Sequence, residues 1–298
     1  MSTRAAVAVD LGGTTIKGAV VAASGEFMRE LSRPTPAAEG PDAVIGALLE
    51  VIAELRSGDD VAAVGVVVPG AVDAGAGRAM FSANLGFRGE PLREIVAAAT
   101  GLPALLEHDV RAAGVAEEEL GASAGVDDYL LAVIGTGIAA VIRTGGTVVT
   151  GANGVPGELG HIPVWPGGEL CSCGQRGCLE RYASAAAIAR RYAAAGGDPG
   201  LSAVEVLARR DDDQRARRVW AEAVEALALA FSTVTLLLDP RLIVIAGGLS
   251  EAGEALLQPV TEELSRLVIW HARPEVRLSP LGGRAGLLGA ALLAHRLV

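Results

Sequence analysis

Aromatic side chains are scarce in this chain, only 3% of 298 residues, so the cores implied by a hydrophobic content of 51% have to be built from Ala, Val, Leu and Ile. Such a composition suits parallel or mixed sheets covered by helices, and an α/β class follows. No run of Lys or Arg is long enough to neutralise several phosphates in a row, and 25 basic against 35 acidic residues leave a formal charge of −10. Nucleic acid and acidic membranes are poor partners on that ground, because binding them takes a row of cations that neutralises several phosphates. Nor is export expected: Met1 to Asp10 holds one Arg and an apolar stretch too short to read as a signal sequence, and a longer apolar window from Val224 to Leu238 still carries Glu225. A cytoplasmic protein is expected. Cysteine is limited to three residues, all between Cys171 and Cys178. An odd number set this closely, in a chain without export signals, argues against disulfides and for metal ligation.

What is present is enough chain for about two domains of roughly 150 residues each. Ala5 to Asp10 reads as a strand, Gly12-Gly13-Thr14-Thr15 as a turn and Ile16 to Ala22 as a second strand, which together make a hairpin with a glycine-rich tip. A helix is expected from Pro41 to Arg56, an apolar strand from Val61 to Val68 stopped by Pro69-Gly70, a strand from Pro103 to Glu107 and a helix from Asp109 to Leu120. The pattern then restarts with strand Tyr129 to Ile134, turn Gly135-Thr136-Gly137 and strand Ile138 to Arg143, as an internal duplication would. A long helix from about Asp212 to Leu238, a strand Leu242 to Ala246 ending in Gly247-Gly248, and helices Glu254 to His271 and Ala285 to Leu297 complete the reading. Two similar lobes facing one cleft are inferred. The segment from Thr150 to Gly177, rich in Gly and Pro, is too long for a connector and is expected to hold loop chemistry.

Three strand-ending glycine turns stand out: Gly12-Gly13 after Asp10, Gly135-Thr136-Gly137, and Gly247-Gly248. Each alone is an ordinary turn. Together they give three places where backbone N–H groups approach a nucleotide without a Cβ in the way, at strand ends where open α/β sheets bind ligands. Asp10 is placed to hold magnesium and Thr14 and Thr15 to donate to phosphate oxygens, while Lys17 either contacts phosphate or extends into water. Asp109 begins a helix and so reads either as its cap or as a carboxylate within reach of an attacking hydroxyl; one residue can be both. His161, Cys171, Cys173 and Cys178 form a His-x9-Cys-x-Cys-x4-Cys set, four N/S ligands that suit a closed structural zinc site, with buried free thiols as the alternative. Such a site would fix Glu158 and Glu180, which bracket it, and leave His161 a second ring nitrogen for a ligand. Asn84 is either a turn residue or a partner for vicinal hydroxyls.

Asp10-Leu-Gly-Gly-Thr-Thr-Ile-Lys17, Ile134-Gly-Thr-Gly137, Gly157-Glu-Leu-Gly-His161 and Cys171-Ser-Cys-Gly-Gln-Arg-Gly-Cys-Leu-Glu180 resemble the repressor/ORF/kinase (ROK) family of sugar kinases, in particular its bacterial glucokinase branch, over essentially the whole chain. The resemblance implies an actin-like ATPase (ribonuclease H-like) α/β fold of two lobes around a central cleft, with residues 1–118 as a small lobe and 119–298 as a large one whose C-terminal helix returns to the first. It implies ATP-dependent phosphorylation of the 6-hydroxyl of a glucose-like hexose and closure over the sugar. Asp109 is then the general base; Gly70, Asn84, His108, Glu158, His161 and Glu180 line the sugar; Asp10, Gly12, Gly13, Thr14, Thr15, Lys17, Gly135, Thr136, Gly137, Gly247 and Gly248 serve ATP and magnesium; and zinc is structural. Homodimers or homotetramers are implied as well.

Two positions depart from the family pattern. His108 stands where an Asn is usual beside the base, which opens the pocket to an amino sugar, such as an N-acetylhexosamine or kanosamine, or to a C7-cyclitol. Ile138-Ala139-Ala140 replaces a glycine-rich continuation. A sugar-responsive transcriptional regulator is the rival of another class; it would carry a helix-turn-helix ahead of the sugar domain, and here the first strand begins within about five residues of Met1.

Overall fold

Val7, Val9 and Leu11 alternate with Ala6 and Ala8 along the first strand, β1 (Ala5–Leu11), so one face carries large side chains and the other small ones. The large face builds a core with Val44, Leu48, Ile52, Val64, Val66 and Phe87; on the small face Ala6 meets Ala63 and Ala294. The computed structural model of the chain describes residues 4–58, 60–152 and 156–298. Residues 1–3, 59 and 153–155, the last within the Thr150 to Gly177 segment, lie outside the described residues. Two units divide the chain: Met1–Glu119 with Arg284–Val298, and Leu120–Gly283.

The first unit continues with β2 (Thr15–Val21), β3 (Phe27–Pro34), α1 (Pro41–Arg56), β4 (Val61–Val68), β5 (Ala71–Asp73), β6 (Arg78–Phe81), α2 (Leu92–Thr100), β7 (Ala104–His108) and α3 (Asp109–Leu120). Its sheet has the order β3-β2-β1-β4-β7, antiparallel through β3, β2 and β1 and parallel through β1, β4 and β7. Every residue of β4, Val-Ala-Ala-Val-Gly-Val-Val-Val, is buried, as expected of a parallel strand covered on both faces. Pro41 at the first turn starts α1, and Val44, Leu48, Val51, Ile52 and Leu55 line its buried stripe. A Cβ on Gly18 of β2 would lie 2.6 Å from the Leu55 side chain, so the glycine lets α1 dock. β3 was not foreseen because its half-buried alternation of Phe27, Arg29, Leu31 and Arg33 with polar neighbours belongs to an edge strand.

The second unit holds β8 (Tyr129–Ile134), β9 (Ile138–Thr144), β10 (Thr147–Val148), α4 (Glu180–Ala183), α5 (Ala185–Ala194), α6 (Ala203–Ala208), α7 (Gln214–Leu238), β11 (Leu242–Ala246), α8 (Glu254–Leu267) and β12 (Glu275–Leu278). The order β10-β9-β8-β11-β12 repeats the topology of the first sheet, antiparallel on one side of β8 and parallel on the other. By length and composition α7 could cross a membrane, yet Trp220, Leu227 and Phe231 sit in the core with Leu130, Ile243 and Val260. The helix expected to run to His271 ends at Leu267, where Val268 leaves helical geometry and closes the turn on the Leu264 carbonyl. Ile269 and Trp270 after it are exposed, with no core left to bury them.

The last helix, α9 (Ala285–His295), packs on the first unit's sheet. Small residues make this possible: a Cβ on Gly65 of β4 would lie 2.2 Å from the Ala290 carbonyl oxygen, and one on Gly289 would lie 1.8 Å from that of Ala112 in α3. Asp10 has the same parity along β1 as Ala6 and Ala8, which puts it on the α9 side at the end of the strand. A Cβ on Gly286 would come within 3.7 Å of its Oδ2.

Candidate active site

In the first unit, β1 and β2 pair with Asp10 opposite Lys17. The tip between them is held by Gly12 N–H donating to Thr15 O at 3.1 Å, by the Thr35 hydroxyl donating to Gly12 O at 2.6 Å and by Thr35 N–H donating to Thr14 O at 2.9 Å. Thr35 lies too far along the chain for any sequence pattern to have marked it. Thr14 is exposed at the tip, with Gly12, Gly13 and Thr15 half-buried. A Cβ on Gly13 would meet the Asn84 Cβ at 2.6 Å, so the glycine tip lies against the turn that carries Asn84. That turn is closed by Ser82 and Phe87 bonding each other's backbone at 3.1 and 3.2 Å. Buried Leu85 and Phe87 anchor it and leave Asn84 exposed. Gly70 has φ +103°, and a Cβ there would lie 2.2 Å from Phe81 O, so only glycine fits.

Asp109 opens α3 directly after β7, and its Oδ1 accepts the Val110 N–H at 2.7 Å. The same N–H reaches His108 Nδ1 at 3.2 Å, which makes that nitrogen an acceptor and puts the proton of the neutral ring on Nε2. His108 Nδ1 and Asp109 Oδ1 are 3.3 Å apart. Glu107 braces the corner: its Oε1 accepts both the His108 N–H and the Arg111 Nε–H at 2.7 Å, and Arg111 also donates to Val72 O at 3.3 Å. Glu107 lies on β7 and Arg111 on α3, so no helical spacing could have revealed this brace. Burial pushes the Asp109 carboxyl up to about 6, against the opposing pull of backbone N–H groups and Arg111. Asp10 is likewise pushed to about 6, first by burial and then by the charge of Asp109, with Lys17 acting the other way. Two neighbouring carboxylates carry excess negative charge, and a divalent cation held through Asp10 fits that donor set.

In the second unit, the turn Gly135-Thr136-Gly137 joins β8 to β9 and closes with Gly135 N–H on Gly137 O at 2.9 Å. Gly247, at φ +83°, ends β11 so close to β8 that a Cβ would lie 2.5 Å from Ile134 O, while Gly248 beside it faces open space. The segment with Glu158 and His161 crosses β9: Ala140 N–H donates to Gly157 O at 2.7 Å, and a Cβ on Gly157 would lie 1.9 Å from Ala140 O. Glu158 is exposed and its Oε2 lies 3.8 Å from His161 Nε2. Glu180 begins α4 and accepts the Ile138 N–H through Oε2 at 3.0 Å.

The ligand atoms of His161, Cys171, Cys173 and Cys178 lie within 4.8 Å of one another. Cys173 and Cys178 sulfurs are 3.7 Å apart, and Cys171 Sγ is 3.8 Å from His161 Nδ1. Tetrahedral zinc with bonds of about 2.3 Å to sulfur spaces two sulfurs by about 3.8 Å, so the donor set fits that ion. Burial and the neighbouring thiols push Cys178 up to about 12, whereas the pull of its neighbours overcomes burial to bring Cys171 down to about 7. A cation at their centre would favour the thiolate forms and so fits this crowded donor set. The loop is also anchored without metal. Tyr182 stacks edge-on to Trp165 at 4.4 Å and its hydroxyl accepts the Glu169 N–H at 2.7 Å. Burial opposes ionisation of Glu169, but hydrogen bonds from Arg191 and Arg190, at 2.8 and 2.6 Å, hold its carboxyl below the usual range. This anchor carried no signal in the sequence.

The profile of the ROK family matches residues 6–297. A glucokinase from Thermotoga maritima is 35% identical over 302 residues, covering 96% of this chain and 95% of its own. An N-acetylmannosamine kinase from Escherichia fergusonii is 30% identical, with 97% and 98% covered. Among solved structures, a ROK family glucokinase from Streptomyces griseus in complex with glucose and AMPPNP superposes with a TM-score of 0.87 at 33% identity, over 98% of this chain and 99% of that one.

Proposed function

Because the chain belongs to the ROK family, with its actin-like ATPase fold, we propose that it is an ATP-dependent sugar kinase that phosphorylates the primary hydroxyl of a glucose-like hexose. The observation that carries this reading is Asp109, held at a braced strand-to-helix corner with its carboxyl raised to about 6, poised to take a proton near neutrality. Oδ1 is engaged by the Val110 N–H, which leaves Oδ2 to accept the proton of the attacking hydroxyl. Asn84, Glu158, His161 and Glu180 bind the ring hydroxyls, and Gly70 admits the ring close to the backbone. With Nδ1 of His161 turned to Cys171, its Nε2 is the nitrogen that meets the sugar.

The N–H groups of Gly12, Gly13, Gly135, Gly137, Gly247 and Gly248 and the hydroxyls of Thr14, Thr15 and Thr136 hold the phosphates, with Lys17 adding charge. Positioning and charge stabilisation supply most of the rate. Magnesium held through Asp10 neutralises phosphate charge, and zinc on His161, Cys171, Cys173 and Cys178 fixes the loop. The compartment is the cytoplasm, where ATP is at hand.

His108 favours a second acceptor class. Its imidazole, with Nδ1 3.3 Å from Asp109 Oδ1, stands beside the base where the family usually carries a carboxamide, and a larger, ionisable ring there suits an amino sugar or a cyclitol. A coupled ADP-release screen over glucose, mannose, fructose, N-acetylglucosamine, N-acetylmannosamine, 3-amino-3-deoxyglucose and a valiolone-type cyclitol separates the two. Glucose is expected to give the highest kcat/KM; a preference for an amino sugar or cyclitol moves the assignment to the second class, and turnover of none removes both.

A second copy of the chain is the expected partner. Leu237, Ile269 and Trp270 are 77%, 83% and 81% exposed, and the His271–Asp239 contact at 3.7 Å brings the ends of α7 and α8 side by side. Large apolar side chains exposed at neighbouring helix ends suit an interface. Sedimentation should give a dimer or tetramer and Trp270→Asp a smaller species; a wild-type monomer at micromolar concentration would contradict the assembly.

A further inference from the structure

Glu180 belongs by sequence to the sugar ligands, yet its carboxylate touches the turn assigned to phosphate. Its Oε2 accepts the N–H of Ile138, the residue that leaves Gly135-Thr136-Gly137, at 3.0 Å. A Cβ on Gly137 would lie 2.7 Å from that same oxygen, so only glycine's hydrogen separates turn and carboxylate. The other end of the turn is held by the same short segment, since Ala185 N–H donates to Gly135 O at 2.8 Å. Residues 180 and 185 therefore grip the turn on both sides. Gly160 closes the arrangement from a third direction: a Cβ there would lie 2.5 Å from Ile138 O and 3.3 Å from the Glu180 Cβ. An ionised acceptor makes a hydrogen bond about twice as strong as a neutral one. Ile138 N–H is thus bound firmly to one oxygen of a half-buried carboxylate, and the second oxygen remains to be assigned.

We propose that Glu180 is a positioning residue for the Gly135-Thr136-Gly137 turn, with Oε2 setting the turn and Oε1 taking a sugar hydroxyl, so that sugar and nucleotide affinities are coupled through one carboxylate. The inference rests on the kinase reading above, in which this turn meets phosphate and Glu180 meets sugar. Coupling of this kind is reciprocal: bound sugar must change the nucleotide affinity by the same factor as bound nucleotide changes the sugar affinity, and a substitution at the contact between Glu180 and Gly137 must be felt by both ligands.

Calorimetry of glucose and of AMPPNP, each titrated alone and again with the other ligand bound, tests it on wild type, Gly137→Ala, Glu180→Gln and Thr136→Ala, with thermal melts to confirm folding; wild type in which neither ligand changes the other's affinity overturns the coupling. Gly137→Ala should weaken glucose by about fivefold or more, because its methyl displaces the carboxylate, and Glu180→Gln should weaken AMPPNP by a similar factor. Thr136→Ala, in the same turn but without a contact to Glu180, should weaken AMPPNP only. A merely structural role would lower melting temperatures without this crossed pattern. If Gly137→Ala does not fold, the effect of Glu180→Gln on AMPPNP decides alone. Wild type binding both ligands, with Gly137→Ala unchanged toward glucose and Glu180→Gln unchanged toward AMPPNP, overturns the positioning role only; wild type binding neither ligand takes down the kinase reading with it.

Discussion

Asp109→Asn should leave sugar binding in place and lower turnover by about three orders of magnitude or more, the scale of losing a positioned base. The substitution is nearly isosteric, and its carbonyl oxygen can still accept the Val110 N–H that Asp109 Oδ1 accepts at 2.7 Å, so the helix cap survives and only the proton acceptor is removed. The wild-type pH profile gives an independent check. With its carboxyl at about 6, Asp109 is ionised above that pH and protonated below it. Hence kcat/KM should level off above pH 7 and fall below 6, by about tenfold per unit where Asp109 alone limits and more steeply where Asp10, pushed to about 6 as well, must also be ionised. Linkage fixes the sign for stability. A carboxyl raised in the folded state contributes stability that is fully present below the ordinary carboxylate range and is lost as pH rises through about 6. Asp109→Asn should therefore melt no lower than wild type at pH 8, and this separates a base from a structural carboxylate. Unimpaired turnover, or a marked loss of melting temperature at pH 8, would remove Asp109 from the role.

Much of this corner was legible because its chemistry is local. Asp10 follows an apolar strand and precedes two glycines, and β1 could be read from its buried Ala and Val alone. The order of strand, glycine turn and strand recurs at Tyr129, and the two sheets repeat one topology. What could not be read depends on residues far apart in sequence or on solvent-facing elements. The fit of α9 on β4 and α3 rests on Gly65, Gly289 and Ala290, small residues with no amphipathic stripe to announce them. The edge strand β3 sets exposed Glu30 and Ser32 between half-buried residues, and β5 and β6, with Met80 and Phe81 exposed, are too short to show a core face. At the site, glycines and cysteines were informative because few side chains can do what they do. The Thr35 hydroxyl on Gly12 O, the Arg190–Glu169–Arg191 cluster and the Ile138 N–H on Glu180 were not, since arginine, threonine and glutamate occupy many unremarkable positions.

Cys173→Ser should strip the chain of zinc and raise the sugar KM by at least about tenfold, in line with the penalties that follow when a metal site loses its order. Cys173 is exposed whereas Cys171 and Cys178 are buried, so this substitution removes a ligand with little disturbance of packing. The loss should reach the sugar ligands by short paths. His161 is itself in the donor set and lies 3.8 Å from the Glu158 carboxylate. Cys178 bridges to Pro163 and is followed by Leu179, whose N–H donates to Ile162 O at 2.9 Å, and then by Glu180. The Trp165–Tyr182 contact and the arginine-bound Glu169 do not depend on a cation, so the loop should loosen rather than unfold and kcat should fall less than kcat/KM. Elemental analysis of freshly purified wild type should give about one zinc per chain, in keeping with four ligands and no open position. Active protein without zinc, or Cys173→Ser with an unchanged sugar KM, would mean that the protein-only anchors suffice and that the thiols serve another purpose.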